Sequence, residues 1–157
     1  MTGLTNCLWF DTQGEEAANF YVSVFPDSSL GNILRYGEGD RAGEVMTVDF
    51  SLCGSKFVAL NGGPQYSFTE AISFQIPCTD QAEVDRYWDA LSEGGEEGPC
   101  GWLKDRYGLS WQVVPNRLPE LLATPDPATA ERVAQAMFAM KKIVIADLEA
   151  AAASNAP

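Results

Sequence analysis

Histidine is absent from this 157-residue chain, and basic residues are scarce: 10 Lys and Arg stand against 22 Asp and Glu, a formal charge of −12. Without imidazole there is no Cys–His pair to activate a thiol. Cys7, Cys53, Cys78 and Cys100 lie far apart with no C-x-x-C spacing, which argues against a zinc ribbon and leaves four small buried or half-buried thiols as the expectation. Phosphate-backbone binding is driven by Lys and Arg releasing counterions, so a chain with no basic cluster is not expected to take a nucleic-acid partner. No apolar run approaches the roughly 20 residues of a membrane helix, and the N-terminus lacks a basic-then-apolar signal. No membrane contact and a cytoplasmic location are expected. Also missing is a strand followed by a G-x-G loop opening a helix, the device with which a nucleotide-like methyl donor is usually held.

What the chain does contain is a repeat. The stripe Ala17, Phe20, Tyr21, Val24 has the same i, i+3, i+4, i+7 spacing as Val84, Tyr87, Trp88, Leu91, and the two stripes lie 67 residues apart. Such a stripe turns one helix face toward a core. Each helix opens on a capping signature, Thr12 with Glu15 and Asp80 with Glu83. Each is followed by a hairpin, one turning at Cys53-Gly54 and the other near Tyr107-Gly108. The reading is module one over 1–63, module two over 68–116, and a C-terminal helical extension over 117–157. Strands are predicted near 4–10, 45–52, 56–61, 71–77 and 109–114, with helices near 14–24 and 81–92. In the extension, one helix or two broken near Lys142, the stripe Val133, Met137, Met140, Val144 is expected to pack on the domain or on a twin subunit.

The segments LWFDTQGEEAANFYVSVFP, ALNGGPQ, AISFQIPCTDQAEVDRYWDAL, SEGGEEGPCGWLKDRYGLSWQVVP and MKKIVIADLEAA, nearly the whole chain, together resemble the PhnB-like branch of the glyoxalase/bleomycin-resistance/extradiol-dioxygenase superfamily, the vicinal oxygen chelate fold. Members of that branch are often labelled 3-demethylubiquinone 3-methyltransferase-like. The resemblance implies an α+β fold of tandem βαβββ modules, each sheet curling about a cavity with its helix outside.

Strand alternation then assigns faces. Ile72, Phe74 and Ile76 should meet the second helix, as should Leu109, Trp111 and Val113, leaving Ser73, Gln75, Ser110, Gln112 and Val114 toward the cavity. In module one Met46, Val48, Phe50 and Leu52 should lie under the helix and Thr47, Asp49 and Ser51 opposite. The first strand, apolar on both faces, is expected to be buried on both sides, with Trp9 as a cavity wall. The ligand-binding candidates are Trp9, Asp49, Ser73, Gln75 and Gln112.

Metal-dependent members of the superfamily place His, Gln or Glu at positions that by register fall near Asn6, Val58, Ser73 and Gln112. Of these only Gln112 is a plausible ligand, so no metal is expected and the cofactor is left unassigned. The expected function is binding of an unidentified small molecule; the alternative is a metal-dependent lyase, isomerase or oxygenase with ligands such as Asp49 or Glu70. Whether a reaction is catalysed is left open. A homodimer is expected, because the extension's stripe has no partner within the repeat.

Overall fold

The computed structural model describes residues 3–154, which divide into two compact units, the first ending at Phe68 and the second beginning at Thr69. The first runs β1 (Asn6–Phe10), α1 (Gly14–Val24), β2 (Ser29–Arg35), β3 (Val45–Leu52), β4 (Ser55–Asn61). The second repeats the order as β5 (Ser73–Cys78), α2 (Gln81–Ser92), β6 (Glu96–Glu97), β7 (Trp102–Lys104), β8 (Ser110–Pro115). It then adds α3 (Arg117–Leu122), α4 (Pro127–Phe138) and α5 (Ile145–Ala153). Strand orders match, β1-β4-β3-β2 and β5-β8-β7-β6, and in each sheet the first and last strands of the module pair in parallel. These are two βαβββ modules. No helix among the described residues is long and apolar enough to cross a membrane.

The apolar stripes form the elements and bury them. Tyr21 stacks on Phe50 of β3, and Phe50 on Phe57 of β4. Val84, Trp88 and Leu91 of α2 are buried, as are Leu109, Trp111 and Val113 around β8. The turn between β3 and β4 has positive φ at both Cys53 (47°) and Gly54 (83°), the primed geometry that matches strand twist in a two-residue hairpin.

Several expectations fail for identifiable reasons. Strand β2 is absent from the prediction because SLGNILR does not alternate; it is an edge strand, exposed throughout, with register shifts between Leu30 and Ile33 and between Leu34 and Arg35. Thr12 does not cap α1. That role passes to Asn61 at the end of β4, whose Oδ1 accepts the Gly14 N–H at 2.7 Å while its Nδ2 donates to the Val45 carbonyl. The second capping box forms as expected: Asp80 accepts from Glu83 N, and Glu83 accepts from Thr79 N. Those hydrogen bonds hold the Glu83 carboxyl below its ordinary range.

Ile72 precedes β5 and is 70% exposed rather than under the helix. Cys7 is exposed and Trp9 half-buried, so β1 is buried on one face only. Of the thiols, Cys7 and Cys53 are exposed, and only Cys78 is fully buried.

The extension is two longer helices preceded by a short one. Met140 and Val144 lie past the end of α4, so the stripe is not a single helix face. Val133, Ile143 and Leu148 are buried against Leu118 and Leu121, with Met137 and Met140 packed alongside, which gives the extension a core of its own within the second unit. The premise that its apolar residues lack an internal partner is therefore replaced. Gln81, opening α2, fastens the extension by donating to the Ile143 carbonyl and accepting from Ile145 N.

Candidate functional site

In the second unit α2 covers one face of the sheet, and the opposite face carries two rows of side chains. Gln75, Gln112 and Trp102 are neighbours across β5, β8 and β7; Ser73, Ser110, Lys104 and Glu96 form the next row across all four strands. Three of the five candidates thus meet. Gln75 Nε2 donates to Gln112 Oε1 at 3.1 Å, and Gln112 Nε2 donates to Ser73 Oγ at 2.8 Å. Each amide is fixed by the next, which leaves Gln75 Oε1 free to accept from a ligand.

A groove of about 550 Å³ runs beside this string. Gln75 and Gln112 form its polar side; Trp102, with Leu118 and Leu122 from α3 and Met137 and Phe138 from α4, forms an apolar side. Phe138 is 62% exposed. Hydrogen bonds from Cys100 N to the Met140 carbonyl and from Gly101 N to the Lys141 carbonyl tie the loop before Trp102 to the turn after α4. On the other side of Trp102 lies a second groove of about 340 Å³, with Ser110 and Lys104 in its lining. Lys104 pairs with Glu70, which raises the ammonium pKa and lowers the carboxyl, so both stay charged.

Trp102 was not among the candidates. Its strand has three residues, too few for alternation to show, and only its pairing with Gln112 reveals its face.

Trp9 and Asp49 belong to the first unit. The indole N–H of Trp9 is already given to the Gly63 carbonyl at 2.9 Å, and Tyr66 packs edge-on against its ring at 5.0 Å. A Cβ on Gly62 would lie 2.2 Å from a Trp9 ring carbon, so this close approach requires glycine. Asp49 is exposed on the face of the first sheet away from α1, beside Val58.

Asn6 is one residue out of step with its assigned role. Its partner is Phe57, which faces the helix, and its amide donates to the Lys56 carbonyl. The residue paired with Val58, as Gln75 is with Gln112, is Cys7. Successive strand residues face opposite sides, so this slip removes Asn6 from the open face. The remaining set, Val58, Ser73 and Gln112, offers no charge, and Gln112 and Ser73 already hydrogen-bond each other. Such a donor set does not fit a divalent cation, which is held by carboxylate, imidazole or thiolate groups that offset its desolvation. Among the described residues no group of three His, Cys, Asp or Glu is placed to hold a metal ion.

Two four-stranded βαβββ units, each with a helix over one sheet face, define the vicinal oxygen chelate class of fold. The family model for 3-demethylubiquinone-9 3-methyltransferase matches residues 2–114, and the chain belongs to that family. A PhnB protein from Bacillus cereus is 31% identical with a TM-score of 0.65, over 73% of this chain and 99% of that one. A Pseudomonas aeruginosa protein, 20% identical, aligns at 0.63 over 73% and 98%, and the fosfomycin resistance protein FosX from Listeria monocytogenes, 16% identical, at 0.52 over 76% and 98%. These last two show the fold alone. No curated protein matched the chain. The match ends at residue 114, before α3, α4 and α5 begin.

Proposed function

We propose that the chain binds a small amphipathic molecule in the wider groove of its second unit, the polar end on Gln75 and Gln112, with Ser73 holding the Gln112 amide, and the apolar part against Trp102, Leu118, Met137 and Phe138. The observation that carries this reading is the ordered Gln75–Gln112–Ser73 string standing opposite an apolar wall. Pockets that recognise small molecules combine a mostly apolar lining with a few fixed polar groups. That wall comes from α3 and α4, so in this reading the choice of ligand is set in part by residues beyond the matched range 2–114. Trp9 and Asp49 remain candidates for ligand contact on the first unit's own open face.

Binding proceeds without a metal in this reading, and no reaction is assigned. Methyl transfer is not proposed: the strand-to-helix connections at 11–13 and 79–80 contain no glycine, so neither forms a phosphate-cradling loop. The chain is read as cytoplasmic, in keeping with four cysteines none of which forms a disulfide among the described residues. It is also read as a homodimer, now on different grounds: Leu30, Ile33 and Leu34 are exposed on the open edge strand β2, an apolar edge that a second copy would cover.

The test uses N-phenyl-1-naphthylamine, a neutral apolar amine whose emission rises when it leaves water. Saturable binding of one probe per chain is expected, weakened about tenfold or more by Phe138→Asp with the unfolding midpoint unchanged. Absence of saturable binding, or equal affinity in the variant, overturns the reading.

A further inference from the structure

The smaller groove contains a polar group with nothing to bond. Ser110 Oγ is buried, its residue 1% exposed, and it is without a hydrogen-bond partner among the described residues. A buried hydroxyl that forgoes its hydrogen bonds opposes folding, and native proteins seldom keep one without a use. Nothing in the packing of β8 asks for serine, since alanine would fill the same position without that cost.

The surroundings say what would satisfy it. Ser110 and Lys104 are cross-strand partners on the face away from α2, and both line the groove of about 340 Å³. Lys104 is held by Glu70, with Glu96 3.8 Å away, so of the three N–H groups of its ammonium one is left for a further acceptor. A hydroxyl and an ammonium on paired strand positions, lining one groove, are two donors that a single acceptor oxygen can satisfy. Against the single positive charge stand Glu70 and Glu96, while Glu97 is engaged by Trp88 Nε1 and Lys141. An anionic ligand would meet a rim that is negative on balance, whereas a neutral acceptor meets no such repulsion. Trp102 and Pro99 add a flat apolar wall.

We propose that this groove is a subsite for a neutral carbonyl compound with a planar apolar body, its oxygen accepting from Ser110 Oγ and Lys104 Nζ and its ring lying against Trp102. The subsite shares Trp102 and Pro99 with the wider groove but stands on different polar groups.

Benzamide and benzoate are the probes, matched in shape and opposite in the feature that matters. In nitrogen–proton NMR spectra of the full chain, with the Trp102 indole signal assigned through Trp102→Phe, benzamide is expected to shift that signal saturably. Benzoate should bind at least about tenfold more weakly. Ser110→Ala should weaken benzamide about tenfold while leaving the urea midpoint unchanged or higher, because it removes an unsatisfied group. Its affinity for N-phenyl-1-naphthylamine should stay as it was, which separates a failure here from a failure of the wider groove. The proposal is overturned if benzamide gives no saturable shift, if benzoate binds equally well, if Ser110→Ala retains benzamide affinity, or if that variant lowers the urea midpoint.

Discussion

Asp105→Ala tests why the block GWLKDRYGLSWQ takes the shape it does. The Asp105 side chain is buried at 2% exposure at the mouth of the turn between β7 and β8. Its Oδ1 accepts the N–H groups of Tyr107 at 2.9 Å and Leu109 at 3.1 Å, and its Oδ2 accepts Trp111 Nε1 at 2.9 Å. Truncation to alanine strands the Leu109 and Trp111 donors in the interior, at about 1–3 kcal/mol each, while the part-buried Tyr107 N–H can recover water. Relief of the carboxylate's own desolvation offsets part of this, so the expected net loss is about 3 kcal/mol. Asp105→Asn keeps one oxygen but cannot accept from both the backbone and the indole, and should lose about 2 kcal/mol. Urea unfolding followed by tryptophan emission gives the totals. Hydrogen exchange over 105–113 shows whether the loss begins at this turn. A loss below about 1 kcal/mol for Asp105→Ala, or wild-type stability for Asp105→Asn, would refute the assignment of Asp105 as the organiser of the strand that carries Ser110 and Gln112.

Other consequences are checked by separate measurements. Trp111→Ala should cost about 3–5 kcal/mol, because a large buried aromatic leaves a cavity, whereas Gln112→Ala should cost about 1 kcal/mol or less; equal losses in urea titration would place the wrong face of β8 inward. Burial pushes the Cys78 thiol up to about 12. Its folded pKa lies above the ordinary value of about 8.5, so the stability it contributes is intact below that pH and is lost as pH rises toward 12. At pH 8, Cys7 and Cys53 should react promptly with a thiol reagent and Cys78 only on unfolding; prompt labelling of Cys78 would contradict the packing. Light scattering should give a particle of about twice 17.0 kDa that Ile33→Lys drives to monomer, and a monomeric parent chain at tens of micromolar would end the dimer reading. Elemental analysis after growth with manganese and nickel should find well under one metal per chain, a stoichiometric ion being the result that restores the metal-dependent alternative.

The helices were legible because their stripes were long and regular, and so were the strands whose alternation ran six residues or more, such as β3. Ser73, Gln75 and Gln112 were legible for the same reason: each is the polar member of an alternating strand. What escaped the sequence was set by tertiary partners. Asn61 caps a helix 47 residues away, and no local rule could prefer it to Thr12, which has the right chemistry in the right place. Edge strand β2 has no covered face, so nothing imposed a pattern on it. The apolar wall of the wider groove was visible only as a stripe with two possible uses. Packing claims Val133, Ile143 and Leu148, while Met137 and Phe138 line the groove.

The one-residue error at Asn6 leads to a further step. The helices repeat at 67 residues, but the connection before α1 spans 11–13 and the one before α2 only 79–80, so the first strands repeat at 68. With that register the row Gln75–Gln112–Trp102 corresponds to Cys7–Val58–Asp49 in the first unit. One fold therefore presents two different surfaces at the same place. In the second unit, two amides and an indole form a row that can orient a polar group against a flat apolar wall. In the first, a thiol and a valine precede a lone carboxylate, with no second hydrogen-bonding side chain to fix its direction. The two modules share their buried faces, where Val48, Phe50, Val113 and Trp111 all lie under their helices, and differ on their open faces. On the proposed reading, recognition by hydrogen bonds is on that account concentrated in the second unit, whereas the first unit's own open face carries Trp9, Val58 and Leu60, apolar side chains whose burial is only partial.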